Sequence, residues 1–282
     1  MSRSIRVAAL QMTSTDDVSA NHRQASQLLE AAAANGVQIA FLPETWTYMG
    51  AQTGAPGAAE PIPGPTTSLL SSAARRHGMA IHGGSFFERD PSEPRVFNTT
   101  VLIDAEGEIV ARYRKIHLFD VGVEGGVVYQ ESASVAPGDE PVVAEVAGLS
   151  LGLSICYDLR FPELYRLLAL DGAELIAVPA AFHEYTGKDH WEALLRARAI
   201  ENQVYVVAAQ ESGHHPGGWV SYGRSMIIDP WGTVLATAPD GAGLAIADCD
   251  LATLARVRQQ LPSLANRRPD TYRRADDVAQ VH

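Results

Sequence analysis

The chain has 282 residues, 46% of them hydrophobic, which is enough to bury a large core in one or two domains. A net charge of −11 leaves no basic stripe to replace phosphate counterions, arguing against nucleic acid as a partner. No apolar run approaches the roughly 20 residues of a membrane span, and two cysteines make no disulfide framework, so a soluble cytoplasmic protein is expected.

The N-terminal "MSRSIRVAALQM" alternates as a strand over 5–11 does, without the long apolar stretch of a signal peptide. Residues 17–34 then set Val18, Ala25, Leu28, Leu29 and Ala32 on one helical face, with Gly36 as a stop. A strand at 37–42 precedes a helix over 66–77, where Leu69, Leu70, Ala73 and Ala74 share a face and Gly78 closes the turn. Strands at 79–86, 98–103 and 109–113 lead to one at 149–155, and a helix over 162–171 opens on Pro162, a favourable first helical residue. After a strand at 174–178, "DHWE" fits a capping box from Asp189 to Glu192 and begins a helix over 189–201. Strands at 204–209, 224–228 and 233–237 complete the series. Strands alternating with helices predict an α/β protein with covered sheets. The expected organisation is one domain over 1–270 and a charged tail over 271–282.

The chain also resembles itself. "VLIDAEGEIVA" (101–111) lies over "MIIDPWGTVLA" (226–236) at an offset of 125, and "MAIHGGS" (79–85) over "VYVVAAQ" (204–210) at the same offset. "GVQIAFLP" (36–43) lies over "GAELIAVP" (172–179) at an offset of 136. Each half then holds a strand ending in proline, a helix, a second strand and an Asp-x-x-Gly hairpin, where Asp opens a turn and Gly takes a left-handed position. Three pieces aligned in the same order predict two pseudo-equivalent layers of sheet and helices packed together. The repeat also sets Glu44 over Ala180, so a charge stands at a strand end in one half only. Ligands in α/β folds gather at such carboxyl ends.

Cys156 follows the apolar run "LSLGLSI" and precedes the helix at Pro162, a junction that can expose a side chain at a sheet edge. It reads equally as a small buried hydrophobe. As a nucleophile it needs a base or a nearby cation, since a free thiol is mostly protonated at neutral pH. Glu44 in "FLPETW" is the candidate base, with a pKa raised by its apolar flank, or else a solvated loop carboxylate. Lys115 in "YRKIHLFD" follows a strand and would favour thiolate and hold an oxyanion, or else is a surface charge. His183 and His190, and the pair His214–His215 in "GHHPGG", match no zinc spacing, and no phosphate-loop or dinucleotide fingerprint is present. No metal and no cofactor are expected, and Cys249 reads as structural.

Together "FLPETW", "YRKIHLFD" and "ICYDLRFPELYR" resemble, in order, the three motifs of the nitrilase superfamily of carbon–nitrogen hydrolases, over residues 5 to about 272. The resemblance implies a four-layer α-β-β-α sandwich of two pseudo-equivalent halves, commonly a homodimer through its helical layers. It also implies Glu44 as general base, Lys115 as electrostatic stabiliser, Cys156 as nucleophile, and the backbone N–H of Tyr157 as an oxyanion donor. Glu131 in "YQES" matches a second glutamate near the family's site. "TGKDHWEALLRARAIENQVYVVAA", "SYGRSMIIDPWG" and "LPSLANRRPD" look like the branch of deaminated glutathione amidases and ω-amidases, implying an amide of a small 2-oxo acid as substrate. "FHEYTGKD" departs from that branch, so Tyr48, Arg160, His183 and Lys188 are substrate contacts by position only. A non-catalytic binding or scaffold protein of the same fold is the alternative of a different class, to which all three reactive side chains would be superfluous.

Overall fold

The computed structural model describes residues 3–122 and 128–272, so nearly all of the charged tail expected over 271–282 lies outside the described residues. The strand Ser4–Gln11 shows how the layers arise. Val7 and Ala9 point into a core shared with the second half, whereas Ala8 and Leu10 point into a separate cluster with Ala25, Leu29, Leu70 and Ala74. Successive side chains of a strand face opposite ways, so a strand apolar at every position is buried on both faces: one against helices, one against another sheet. The helices Val18–Ala34 and Pro65–His77 supply that outer layer, the first capped by the Asp17 side chain accepting from the Ala20 N–H.

Both sheets are built alike. In the first, Ser4–Gln11, Ile39–Phe41 and Ala80–His82 run parallel, then Val96–Ile103 and Ile109–Arg114 pair antiparallel. In the second, Leu149–Leu153, Leu175–Ala180 and Tyr205–Gln210 run parallel, then Met226–Ile228 and Val234–Thr237 pair antiparallel. An antiparallel strand closes the other edge of each: Gly243–Asp250 beside Ser4–Gln11, and Val142–Val146 beside Leu149–Leu153. The helices Pro162–Leu170 and Glu184–Asn202 cover the second sheet. This is the four-layer sandwich, and the 125-residue offset matches Ile109 to Val234 and Ala80 to Tyr205 at strand starts. The two Asp-x-x-Gly hairpins also agree. Gly107 and Gly232 have φ of 82° and 87°, and each donates its N–H to the carbonyl of the aspartate three residues earlier.

Three expectations are corrected. The strand over 79–86 breaks into Ala80–His82 and Phe86–Glu88, because Gly84 turns with φ of 62° and passes so near Pro43 that a Cβ would sit 2.1 Å from its carbonyl oxygen. The helix over 189–201 begins at Glu184, where the His183 ring accepts the Tyr185 N–H, and no capping box forms at Asp189. The edge strand Val142–Val146 and the helix Leu251–Gln260 lie in stretches read as connections, and the late strand that "IADCD" gives Cys249 begins earlier, at Gly243.

All six parallel strands deliver their carboxyl ends to one side. There Glu211, wholly buried, follows Tyr205–Gln210 in the second half and accepts both the N–H (2.9 Å) and the hydroxyl (2.7 Å) of Ser14 from the first. Burial, aided by the charge of Glu44 and opposed by the two Ser14 bonds, raises its pKa to about 7. An acid raised in the folded state costs nothing below its unfolded pKa; the cost grows between the unfolded and folded values and levels off above the folded one. The cost above neutrality is about 3 kcal/mol. Glu211→Gln should therefore gain about 2–3 kcal/mol on the wild type between about pH 5 and about pH 8 in denaturant melts. Parallel stability curves would show that Glu211 does not change its protonation across that range.

Candidate active site

Glu44, Lys115, Glu131 and Cys156 lie together, each under a tenth exposed, at the base of a cleft open to solvent. Glu44 stands two residues beyond Leu42 at the end of Ile39–Phe41. Its loop is fixed by Ser85, whose N–H donates to the Pro43 carbonyl and whose hydroxyl accepts the Thr45 N–H. Lys115 follows Ile109–Arg114 directly, and Glu131 opens a short 3₁₀ turn. Cys156 opens another, Cys156–Arg160, with φ of 46°, a left-handed conformation that costs a non-glycine residue about 1–3 kcal/mol. The strain turns the thiol back over the sheet end instead of into the helix that follows.

Asp158 holds that turn in place. Wholly buried, it accepts from the Ile155 N–H (2.8 Å), the Tyr113 hydroxyl (2.7 Å), the His117 N–H (3.1 Å) and the His117 ring. The cysteine turn is thereby tied to the segment that carries Lys115.

The Lys115 ammonium donates to Glu44 Oε1 (2.9 Å) and Glu131 Oε2 (2.8 Å). An ammonium has three N–H groups, so one remains for a ligand. Burial alone would strip its proton, but Glu131 and Glu44 outweigh burial and hold it charged. Glu44 Oε1 also accepts from Asn98 (3.0 Å), and Oε2 accepts the Ala181 N–H (2.8 Å), delivered by the second half from the position beside the one the repeat matches to Glu44. Glu131 accepts from Asn98 (3.2 Å), Lys115 and the Phe119 N–H (2.7 Å).

Burial first, then the charge of Glu44, pushes the Cys156 thiol well above its ordinary range, and Lys115 opposes this without prevailing. The expected thiolate held by a lysine is thus not the resting state. A thiol touching a carboxylate is, and thiolate forms as the carboxylate takes the proton.

Tyr157 lies in the first turn after Cys156, where amide N–H groups have no partner within the turn. Tyr48, Arg160 and His183 line the cleft. Arg160 is half-buried, rests over the Phe182 ring and meets His190, and among the described residues it has no carboxylate partner. Lys188 lies elsewhere: the earlier start of its helix turns it to solvent beside Tyr185, away from the cleft. Asn98 and Trp219 were not anticipated. Trp219 closes the "GHHPGGW" loop, donates its ring N–H to the Ala181 carbonyl and packs on Tyr129, Phe119 and His183. His215 of that loop is buried between Ser14 and Ser221.

The fold and this cleft define a cysteine-based hydrolase of carbon–nitrogen bonds. The chain belongs to the carbon–nitrogen hydrolase family, whose model matches residues 6–259, within the nitrilase superfamily. It is 45% identical to a deaminated glutathione amidase of Synechocystis sp., over 92% of this chain and 97% of that one. It is 39% identical to a mouse ω-amidase, over 95% and 96% of the two chains. Among solved structures it superposes with a TM-score of 0.79, at 29% identity and over 95% of each chain, on an amidase from Nesterenkonia sp. AN1. That structure carries the acetamide moiety of fluoroacetamide covalently on its active-site cysteine.

Removing Lys115 would leave two carboxylates facing each other without a cation. Lys115→Met should cost about 3–5 kcal/mol in chemical denaturation. Adding Glu131→Gln should recover part of that loss; a double variant no more stable than the single would show that repulsion is not the cause.

Proposed function

We propose that the protein is an amidase of small 2-oxo-acid amides acting through a thioester on Cys156, with deaminated glutathione as the favoured substrate. The observation that carries this reading is the contact of one carboxylate, Glu44, with both the thiol of Cys156 and the ammonium of Lys115. Glu44 Oε2 takes the thiol proton as sulfur attacks the amide carbon. The free N–H of Lys115 and the Tyr157 N–H receive the oxyanion. As the carbon–nitrogen bond breaks, Glu44 returns the proton to the leaving amine and the acyl group stays on sulfur. Glu44 then takes a proton from water, whose oxygen attacks the thioester; the tetrahedral state collapses to the acid, and the proton returns to sulfur. One carboxylate serves as base and acid in turn. Glu131 keeps Lys115 charged and in place.

Arg160 is the group suited to the substrate's carboxylate, and His183 and Tyr48 suit its keto oxygen. Tyr129, Trp219 and Phe119 pack together as an aromatic wall along the cleft. A second reading, ω-amidase action on 2-oxoglutaramate, is favoured by the one guanidinium without a carboxylate partner that lines the cleft among the described residues, since that substrate has one carboxylate to place. The assembly we propose is a homodimer through the helical layer, where Leu167, Leu170, Ile200 and the adjoining Trp231 are exposed. Two free, buried cysteines suit a cytoplasmic setting, and no helix among the described residues is long and apolar enough to cross a membrane.

The test is 2-oxoglutarate release from deaminated glutathione and from 2-oxoglutaramate in parallel. Faster release from the first, lost in Cys156→Ala, is the expected result. Preference for the second moves the enzyme to the ω-amidases, and release from neither reopens the substrate to other amides and N-carbamoyl compounds. Arg160→Met should raise KM roughly 10–100-fold and change kcat little, as loss of binding common to ground and transition states does. An unchanged KM would remove Arg160 from the substrate site.

A further inference from the structure

Asn98 sits in the strand Val96–Ile103, 1% exposed, at the floor of the cleft, and its own carbonyl accepts the Lys115 N–H (2.9 Å). Its side-chain nitrogen lies 3.0 Å from Glu44 Oε1 and 3.2 Å from Glu131 Oε1. Both neighbours are carboxylate oxygens, and an ionised carboxylate only accepts. The amide therefore cannot be turned the other way round, and both of its N–H groups are committed, one to each acid. Its Oδ1 in consequence is buried with no hydrogen-bond partner. A buried carbonyl left unpaired is unfavourable, so a residue chosen only to complete the interior would not leave one here.

We infer that Asn98 is a positioning residue for the reaction: it turns the Glu44 carboxylate so that Oε2 faces Cys156. This rests on the reading of Glu44 as the base. Two donors, Asn98 and Lys115, fill Oε1, which leaves Oε2, with only the Ala181 N–H, as the oxygen free to take the thiol proton. Lys115 supplies charge, while Asn98 supplies direction without adding to the charge of the cluster. The ionisable groups facing Glu44 are Lys115 and Glu131 on the cleft floor, Cys156 across from it, and Tyr129 and the buried Glu211 at its edges. Each of them is present unchanged when Asn98 is replaced, so a shift in the Glu44 titration reports on the amide.

The experiment needs no substrate. Alkylation of Cys156 by iodoacetamide, followed by peptide mass spectrometry across a pH series, reports the ionisation of Glu44 in its low-pH limb. Losing a hydrogen bond to the ionised form raises a carboxyl pKa. The limb should move up by roughly one pH unit in Asn98→Leu, and further in Asn98→Asp, which adds a third negative group. Asn98→Ala should match the leucine variant, and it covers the case in which leucine is not accommodated. Limbs that superimpose on the wild type in folded variants would overturn the inference and leave Asn98 a space-filling residue. If wild-type Cys156 reacts no faster than Cys249, the reading of Glu44 as base fails, and the inference with it.

Discussion

A single ammonium, buried between two carboxylates, sets the terms for everything around it. An isolated charge in this interior would cost several kcal/mol, and one acid beside it would not satisfy its remaining N–H groups. Glu44 and Glu131 keep Lys115 protonated, and Lys115 lets two like charges lie within a few ångströms of each other. Each of the three is tolerable only because of the other two. Burial first, and then the negative carboxylate nearest to it, make the neighbouring thiol difficult to ionise at rest. Reactivity is therefore coupled to a proton transfer instead of being stored in a standing thiolate.

Geometry follows from the same cluster. Oxygen by oxygen, the partners of Glu44 come from separate elements: a lysine after one strand, an amide within the next, and a backbone N–H at the end of a strand in the other sheet. Asp158 ties the cysteine turn to the lysine segment from beneath. The strained φ of Cys156 is borne by this scaffold. Above the floor, aromatic walls and the Arg160 guanidinium line the cleft, and they sit on short hairpins and turns. The part that must be rigid stands on strand ends, and the part that selects stands on loops.

Much of this was legible in the residues. The repeat predicted two equivalent sheets because "IDAEG" and "IDPWG" force the same hairpin, and the offset drawn from them matches strand to strand. Glu44 stood out because its counterpart Ala180 carries no charge. Of the edge strand Gly243–Asp250 only the "IADCD" end reads as a strand, because "GLAIADCD" is only partly apolar, and its pairing with Ser4–Gln11 joins opposite ends of the chain. Asn98 was invisible for a different reason: an asparagine in "VFNTTVLI" reads as a tolerated polar residue in a strand until the two acids it faces are in place. Trp219 lay in a glycine-rich loop whose sequence gives no direction. Lys188 reads as a cleft residue only by its position in "FHEYTGKD", a stretch that forms the first turns of the helix Glu184–Asn202 and leaves Lys188 exposed.

The pairing of Glu44 with Ala181 has a consequence for how the enzyme comes into being. Descended from like halves or not, the two layers have divided the work at matched strand ends: one offers an acid, the other only its main chain. Glu44 and Lys115 stand in one layer and Cys156 in the other, so a nascent or partly unfolded chain holds the reactive groups apart. Turnover thus appears in one step with the docking of the two layers. It is a report on global folding that no local fluctuation, and no fragment released by proteolysis, could imitate.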